Sequence, residues 1–153
     1  MNEFLIERLT SDKFCEVAEL ERLCFSLPWS EKSLELLLDG KNVGFVAIYK
    51  ATGRVAAYGG MIAVLDEGQI TNIATHPEYR RRGLGQSVLH ALVEYATETG
   101  LNIISLEVRE SNVAAISLYE KLGFLTAGVR KNFYTSPREN GIVMTKSIGE
   151  LTV

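Results

Sequence analysis

The segment Thr75 to Leu89, T-H-P-E-Y-R-R-R-G-L-G-Q-S-V-L, constrains the fold more than any other part of the chain. It reads as the end of a strand, a basic loop bearing Arg80-x-x-Gly83-x-Gly85, and the opening turns of a helix. Glycines at a helix mouth let the backbone approach a ligand closely. The free N–H groups of that first turn, together with the helix dipole, favour an anion such as a pyrophosphate. Alone, the pattern fits a dinucleotide site, a coenzyme site or a simple tight turn.

Periodicity orders the rest of the chain around this unit. Phe4 to Leu9 reads as a strand. Ser11/Asp12 supplies an N-cap signal for a helix through about Cys24, striped by Phe14, Val17, Ala18, Leu20 and Leu23. Leu27-Pro28-Trp29 breaks that helix, and Ser30-Glu31-Lys32-Ser33 opens a short one that stops at Asp39-Gly40. Three strands follow, Val43 to Tyr49, Val55 to Val64 and Gly68 to Thr75. The long helix runs from about Leu84 to Thr99 and ends at Gly100. Ile103 to Val108 is a strand, and Ser111 or Asn112 caps a helix that stops at Gly123. Two last strands, Phe124 to Phe133 and Gly141 to Ile148, flank a turn around Pro137. The order β-α-α-β-β-β-α-β-α-β-β predicts a single α/β (α+β) domain over residues 1–153, a mixed sheet flanked by helices.

Composition narrows the function classes. With 153 residues, 46% apolar and 23% charged, the chain has the balance of an ordinary globular domain. A net charge of −3 argues against general nucleic-acid binding, which usually needs a strongly basic face. Cys15 and Cys24 fall in a helical apolar pattern and read as buried free thiols, which fits a reducing compartment. No Cys/His cluster has metal-ligand spacing, so no metal is expected. The N-terminus mixes acids with its apolar residues and does not read as a signal peptide. The longest uncharged stretch, Val55 to Leu65, is too short to span a bilayer. A cytoplasmic protein without a membrane partner is the expectation.

Two places carry chemistry. Ile70 and Ile73 stand three apart in one strand, so their side chains point to opposite faces unless the strand is re-phased. Either the strand is buried on both faces, or a bulge beside the glycine loop leaves a backbone group unpaired, a natural place to hold an acyl carbonyl. The second place is Leu106 to Phe124, L-E-V-R-E-S-N-V-A-A-I-S-L-Y-E-K-L-G-F. In its strand Ile104, Leu106 and Val108 share one face, and Ser105, Glu107 and Arg109 the other. On the helix Asn112, Ala115, Ile116 and Tyr119 fall on one stripe. An acid, an amide and a phenol can thus meet in one crevice. Each also has a bland reading: a solvated strand acid, a helix cap, a packed aromatic.

The element order, Arg80-x-x-Gly83-x-Gly85 and N-x-x-A-x-x-x-Y-x-x-x-G-F (Asn112, Ala115, Tyr119, Gly123, Phe124) together resemble the GNAT superfamily of N-acetyltransferases, over almost the whole chain. Within it the chain is most similar to the bacterial ribosomal-protein alanine N-acetyltransferases, through P-W-S-E-K (Pro28 to Lys32), N-I-A (Asn72 to Ala74), L-E-V-R-x-S-N (Leu106 to Asn112) and A-I-x-L-Y-E-x-L-G-F (Ala115 to Phe124). The resemblance implies a GNAT fold with a mostly antiparallel sheet, and acetyl-coenzyme A as donor. Backbone groups of Ile73, Ala74 and Thr75 would hold the acetyl and pantetheine part. Arg81, Arg82, Gly83, Leu84, Gly85 and Gln86 would cradle the pyrophosphate, and Asn112 would contact the cofactor arm. Glu107 matches the general base and Tyr119 the general acid. The implied acceptor partner is the N-terminal segment of a ribosomal protein or another basic peptide, lying between the second helix region and the last hairpin. Phe25, Trp29 and Tyr134 then become cleft aromatics.

Alternatives stay open at this stage. His76 is a rival base at the loop entrance. A broader acetylase of protein lysines or small amines shares much of the second cluster, and a silent member would bind acyl-coenzyme A without turnover. A dinucleotide-binding module is disfavoured, because no second glycine fingerprint or ribose-binding acid follows. In the final hairpin F-Y-T-S-P (Phe133 to Pro137) and N-G-I-V-M (Asn140 to Met144) depart from the family's usual pattern, which bears on the acceptor more than on the chemistry.

Overall fold

The computed structural model describes residues 3–149. Seven strands, β1 (Phe4–Arg8), β2 (Val43–Tyr49), β3 (Arg54–Val64), β4 (Glu67–Thr75), β5 (Ile103–Arg109), β6 (Leu125–Thr135) and β7 (Arg138–Ser147), form one sheet in the order β1-β2-β3-β4-β5-β7-β6. Four helices cover it: α1 (Phe14–Cys24), α2 (Glu31–Leu34), α3 (Leu84–Glu98) and α4 (Val113–Lys121). Every strand pair is antiparallel except β4–β5, which is parallel because the α3 crossover joins its members.

Two cores sandwich the sheet. Val88, Leu89 and Leu92 of α3 pack with Ile104, Leu106 and Val108 of β5, and Ala115, Ile116 and Tyr119 of α4 close the same side. On the other face Phe14, Val17, Ala18 and Leu20 of α1 meet Leu34, Leu37, Val46 and Tyr58. Leu34 and Leu92 are wholly buried, and each such side chain contributes about 1.5–3 kcal/mol.

The parallel pair is what opens the sheet. Only Glu67↔Ile103, Gly68↔Ile104 and Gln69↔Ser105 are in register; beyond them β4 and β5 part. Within β4 the parity fault between Ile70 and Ile73 is a bulge. Gly59 pairs with Ile73 and Met61 with Ile70, so Gly60 alone stands opposite Thr71 and Asn72. A Cβ at Gly60 would come within 2.6 Å of Thr71 Oγ1 and 2.8 Å of Leu37 Cδ1, so any side chain there would force these packed neighbours to move.

Several boundaries differ from the sequence reading. Ser11 and Asp12 do not cap α1; with Lys13 they form a 3₁₀ turn, and Thr10 donates its hydroxyl to the Asp12 carboxylate that would otherwise serve the helix amides. The helix after Ser30 lasts one turn and finishes as 3₁₀ from Glu35–Leu38. The last hairpin is tighter than expected, β6 reaching Thr135 and β7 starting at Arg138. The thiols are not both buried: Cys15 is exposed and Cys24 half-buried. Cys15 lies off the α1 stripe, whereas Cys24 ends it beside an open cleft. Among the described residues, no helix is long and apolar enough to cross a membrane.

Candidate functional site

Where β4 and β5 part, a cleft of about 960 Å³ opens on the α1 face. One wall is the α1–α2 loop with Phe25 and Trp29, and the opposite wall is the β6–β7 hairpin with Tyr134 and Pro137. The floor comes from the β4 bulge, Thr71 and Asn72, and from Ser105, Glu107 and Arg109 of β5. Strand alternation delivers these last three as expected, since Ile104, Leu106 and Val108 point into the α3 core.

Glu107 is half-buried on this floor, and its Oε1 lies 3.3 Å from Arg130 Nη1 of β6. Tyr134 faces the same space. Burial pushes its phenol up, the nearby Glu107 carboxylate adds to the rise, and Arg109 opposes it. The Arg109 guanidinium stands 4.4 Å over the Tyr134 ring. It donates through Nη1 to Pro137 O (2.9 Å) and through Nη2 to Ser136 O (3.2 Å), pairing also with Glu139 at 3.4 Å. A hydrogen bond from Ser111 holds the Glu139 carboxyl below its usual range; burial opposes it, and the Arg109 hydrogen bond and charge add to the lowering. The hairpin tip is thereby tied over the cleft, and the Ser26 hydroxyl donates to Ser136 O from the opposite wall.

The phenol and the amide are placed differently from the acid. Tyr119 lies across the sheet in the α3–α4 core, its ring 5.9 Å from Phe124, and burial raises its pKa. Asn112 is exposed, and its Oδ1 accepts from Ala115 N–H at 3.2 Å as the α4 cap. The crevice expected to gather all three therefore holds Glu107 alone on the cleft side. The reason is the β5–α4 connection, which turns the helix onto the face opposite the acid. Beyond Gln69↔Ser105 the two strands no longer pair, so no ladder separates the two sides there.

The glycine loop forms the other end of that gap. Gly83, at φ +74°, is the N-cap residue of α3, and no side chain caps the helix end. Ser87 N–H takes the first intrahelical acceptor, Gly83 O, at 3.0 Å, so the amides of Leu84, Gly85 and Gln86 precede the ladder and point out of the helix end. Leu84 is buried beneath the loop, while Gln86 is exposed. Arg81, also left-handed at φ +66°, is exposed. Arg82 turns toward β1, 3.8 Å from Glu3 and about 5.9 Å over the Phe4 and Tyr79 rings. An uncapped helix end flanked by guanidinium groups, with no Cβ at Gly85 in the way, suits a pyrophosphate.

Along β4 the ladder decides which backbone groups are available. His76 N–H donates to Ala56 O, so by antiparallel alternation Ala74 exchanges its bonds with Tyr58, while Ile73 and Thr75 turn theirs outward. Thr75 O accepts from Arg80 Nε at 3.2 Å and from Cys24 Sγ at 3.6 Å, as an outward group should. Ala74, whose backbone was expected to hold the acetyl and pantetheine part with Ile73 and Thr75, pairs with Tyr58 in the sheet, and its side chain is buried. His76 is a local cap, its Nδ1 accepting from Glu78 N–H at 3.1 Å.

One residue of the site escaped the sequence reading. Glu21 is wholly buried, and its carboxylate accepts from Trp29 N–H at 2.9 Å, from Asn72 Nδ2 at 2.8 Å, and from the Tyr58 hydroxyl. The signal was present: Phe14, Val17, Ala18 and Glu21 occupy one helical stripe, and an acid in a core stripe calls for donors.

A basic helix end with free amides facing a split between parallel strands, with a carboxylate across the gap, suits a transferase whose donor carries a pyrophosphate. Residues 14–124 match the Acetyltransferase (GNAT) family, and the chain belongs to it. The [ribosomal protein bS18]-alanine N-acetyltransferase of Escherichia coli strain K12 is 39% identical over 131 residues, 84% of this chain and 87% of that protein. The crystal structure of the ribosomal-protein-S18-alanine N-acetyltransferase from Escherichia coli superposes with a TM-score of 0.88 at 35% identity, covering 97% of this chain and 96% of that one. The same fold recurs in Arabidopsis thaliana NAA60 in complex with acetyl-CoA, at a TM-score of 0.86 and 14% identity over 95% of this chain and 98% of that one.

Proposed function

We propose that this acetyltransferase moves acetyl from acetyl-coenzyme A to the α-amine of an N-terminal alanine on a bacterial small-subunit ribosomal protein, with Glu107 as general base and Tyr119 as general acid. The observation that carries the chemistry is the half-buried Glu107 on the cleft floor beside the β4–β5 gap. The acceptor rests on the two Escherichia coli relatives.

An N-terminal α-amine has a pKa of ~8, so at neutral pH most of it is protonated and must lose a proton before attack. Glu107 accepts that proton directly or through one water. As the C–N bond forms and the C–S bond breaks, the electron pair leaving on sulfur takes a proton from the Tyr119 hydroxyl. An ordinary phenol (pKa ~10) is a weaker acid than a thiol (~8.5), so positioning must assist this transfer. Burial raises the Tyr119 pKa, which keeps the phenol protonated but makes the transfer more uphill, so positioning has more to supply. The outward N–H of Ile73 offers a donor to the carbonyl oxygen as charge develops there. By the family resemblance Asn112 would contact the cofactor arm, and the loop from Arg81 to Gln86 would hold the pyrophosphate. The acceptor enters between Trp29 and Tyr134, and the protein would act where nascent ribosomal subunits are, in the cytoplasm.

Mass spectrometry of a peptide panel incubated with protein and acetyl-coenzyme A tests the reading. Alanine-first basic peptides should gain acetyl on the α-amine. Modification confined to internal lysines would overturn the acceptor assignment.

A further inference from the structure

We infer that Glu21 is a positioning residue for the transfer: through Asn72 it fixes the β4 bulge, and through Trp29 N–H it fixes the facing wall of the cleft. The inference rests on the acetyl-transfer reading of this site and adds a residue outside it.

Stability alone does not explain a carboxylate at this place. Glu21 occupies a core stripe position and is 0% exposed. Replacing a buried ionic group by a well-packed apolar one is often neutral or stabilising. What a carboxylate supplies, and a leucine cannot, is directional acceptors for several elements at once. Its Oε1 takes Trp29 N–H at 2.9 Å, and Asn72 Nδ2 reaches both oxygens, at 2.8 and 3.1 Å. The third donor, the Tyr58 hydroxyl, comes from the core side.

Two of these three donors line the cleft, one on each side of the space between acceptor and donor. Asn72 lies in the bulge, beside Ile73, whose N–H points outward. Opposite the bulge stands Gly60, where an added Cβ would lie 2.6 Å from Thr71 Oγ1. Glu21 restrains it from the α1 side, so the position of the Ile73 amide is set by contacts two residues deep. Trp29 begins the chain into the Ser30 cap of α2, so the same carboxylate sets how far the aromatic wall stands from the bulge. A displacement of about 1 Å at a reacting centre is enough to lower a rate by about a hundredfold.

Three variants separate this role from a packing role. Asn72→Ala removes the bulge arm at a half-buried position; Glu21→Gln keeps the shape but turns an N–H₂ group toward existing donors; Tyr58→Phe removes only the core-side donor. Turnover on an alanine-first peptide, melting temperature, and calorimetric affinities for acetyl-coenzyme A and coenzyme A are measured for each. For Asn72→Ala and Glu21→Gln, kcat should fall about tenfold or more, as expected for lost preorganisation. Affinity for acetyl-coenzyme A should fall relative to coenzyme A. Tyr58→Phe should lower the melting temperature while kcat and that affinity ratio stay at wild-type values. Wild-type kcat and ratio in Asn72→Ala, or an equal loss of kcat in Tyr58→Phe, would overturn the positioning role. A wild-type protein that binds neither coenzyme would instead remove the acetyl-transfer reading, and the inference with it.

Discussion

Arg130 Nη1 stands 3.3 Å from Glu107 Oε1, and the two side chains differ in exposure, 60% against 26%. The pair joins a mobile-length cation on the hairpin to the carboxylate on the cleft floor. Exposed ion pairs of this kind contribute roughly 0–1 kcal/mol, so the cation can leave when an amine arrives.

That magnitude ranks three variants. Glu107→Gln and Tyr119→Phe should each lower kcat by about 10²–10⁴, the usual range for a general base or acid, with coenzyme A affinity nearly intact. Arg130→Gln should change kcat less than about tenfold, because it removes a screened partner only. Single-turnover kinetics with calorimetry of coenzyme binding separates the outcomes. Wild-type rates in both Glu107→Gln and Tyr119→Phe would withdraw the assigned roles.

Two glycines should respond differently to the same substitution. Gly83→Ala meets nothing within 4 Å, so its penalty is the left-handed φ of +74°, about 1–2 kcal/mol, together with weaker coenzyme binding from a shifted helix end. At Gly60 the added carbon would lie 2.6 Å from Thr71 Oγ1 and 2.8 Å from Leu37, in a packed site. Gly60→Ala should therefore be the more damaging to both melting temperature and turnover. Equal melting temperatures for the two would contradict the packing argument.

Much of this arrangement was legible from spacing. The alternation in β5 announced Glu107 because one face of that strand meets α3 and cannot hold a charge. The three-residue step from Ile70 to Ile73 left two solutions, a strand buried on both faces or a bulge, and the register with β3 selects the bulge. What failed depended on contacts distant in sequence. The reading of Asn112, Glu107 and Tyr119 as neighbours assumed that α4 returns to the face of the acid, and a chain of residues does not reveal the sense of that turn. Ala74 looked equivalent to Ile73 and Thr75 until the β3 register assigned its main chain to Tyr58. Arg109 holds carbonyls 27 and 28 residues away, which no local pattern encodes. Glu21 was missed for a simpler reason: the α1 stripe was traced through its apolar residues alone, and an acid at the same helical spacing was not counted on it.

Tyr58 gives an alkaline signature. Its hydroxyl is raised far above the ordinary phenol value, first by burial and then by the adjacent Glu21 carboxylate. A group whose folded pKa exceeds its unfolded value holds its proton more tightly when folded. Its contribution is fully present below the unfolded value of about 10 and is lost as pH rises beyond it toward the folded pKa. Melting temperature should fall above about pH 10, and Tyr58→Phe should flatten that fall while starting from a lower neutral value. Parallel alkaline slopes in wild type and variant would show that other groups govern the loss.

The hairpin latch predicts a substitution that is conservative in charge and not in effect. Arg109 uses its planar fork to hold Ser136 O and Pro137 O together while its face lies over Tyr134, which an ammonium cannot reproduce. Arg109→Lys keeps the positive charge beside Glu139 but leaves at least one turn carbonyl without its donor. The tip should open, Tyr134 should lose its fixed place, and the peptide KM should rise several-fold while coenzyme A affinity holds, since the glycine loop lies at the other end of the gap. Hydrogen exchange of the β6–β7 amides should accelerate in the same variant. A KM unchanged from wild type, with the hairpin amides demonstrably faster, would mean that the acceptor does not use this wall.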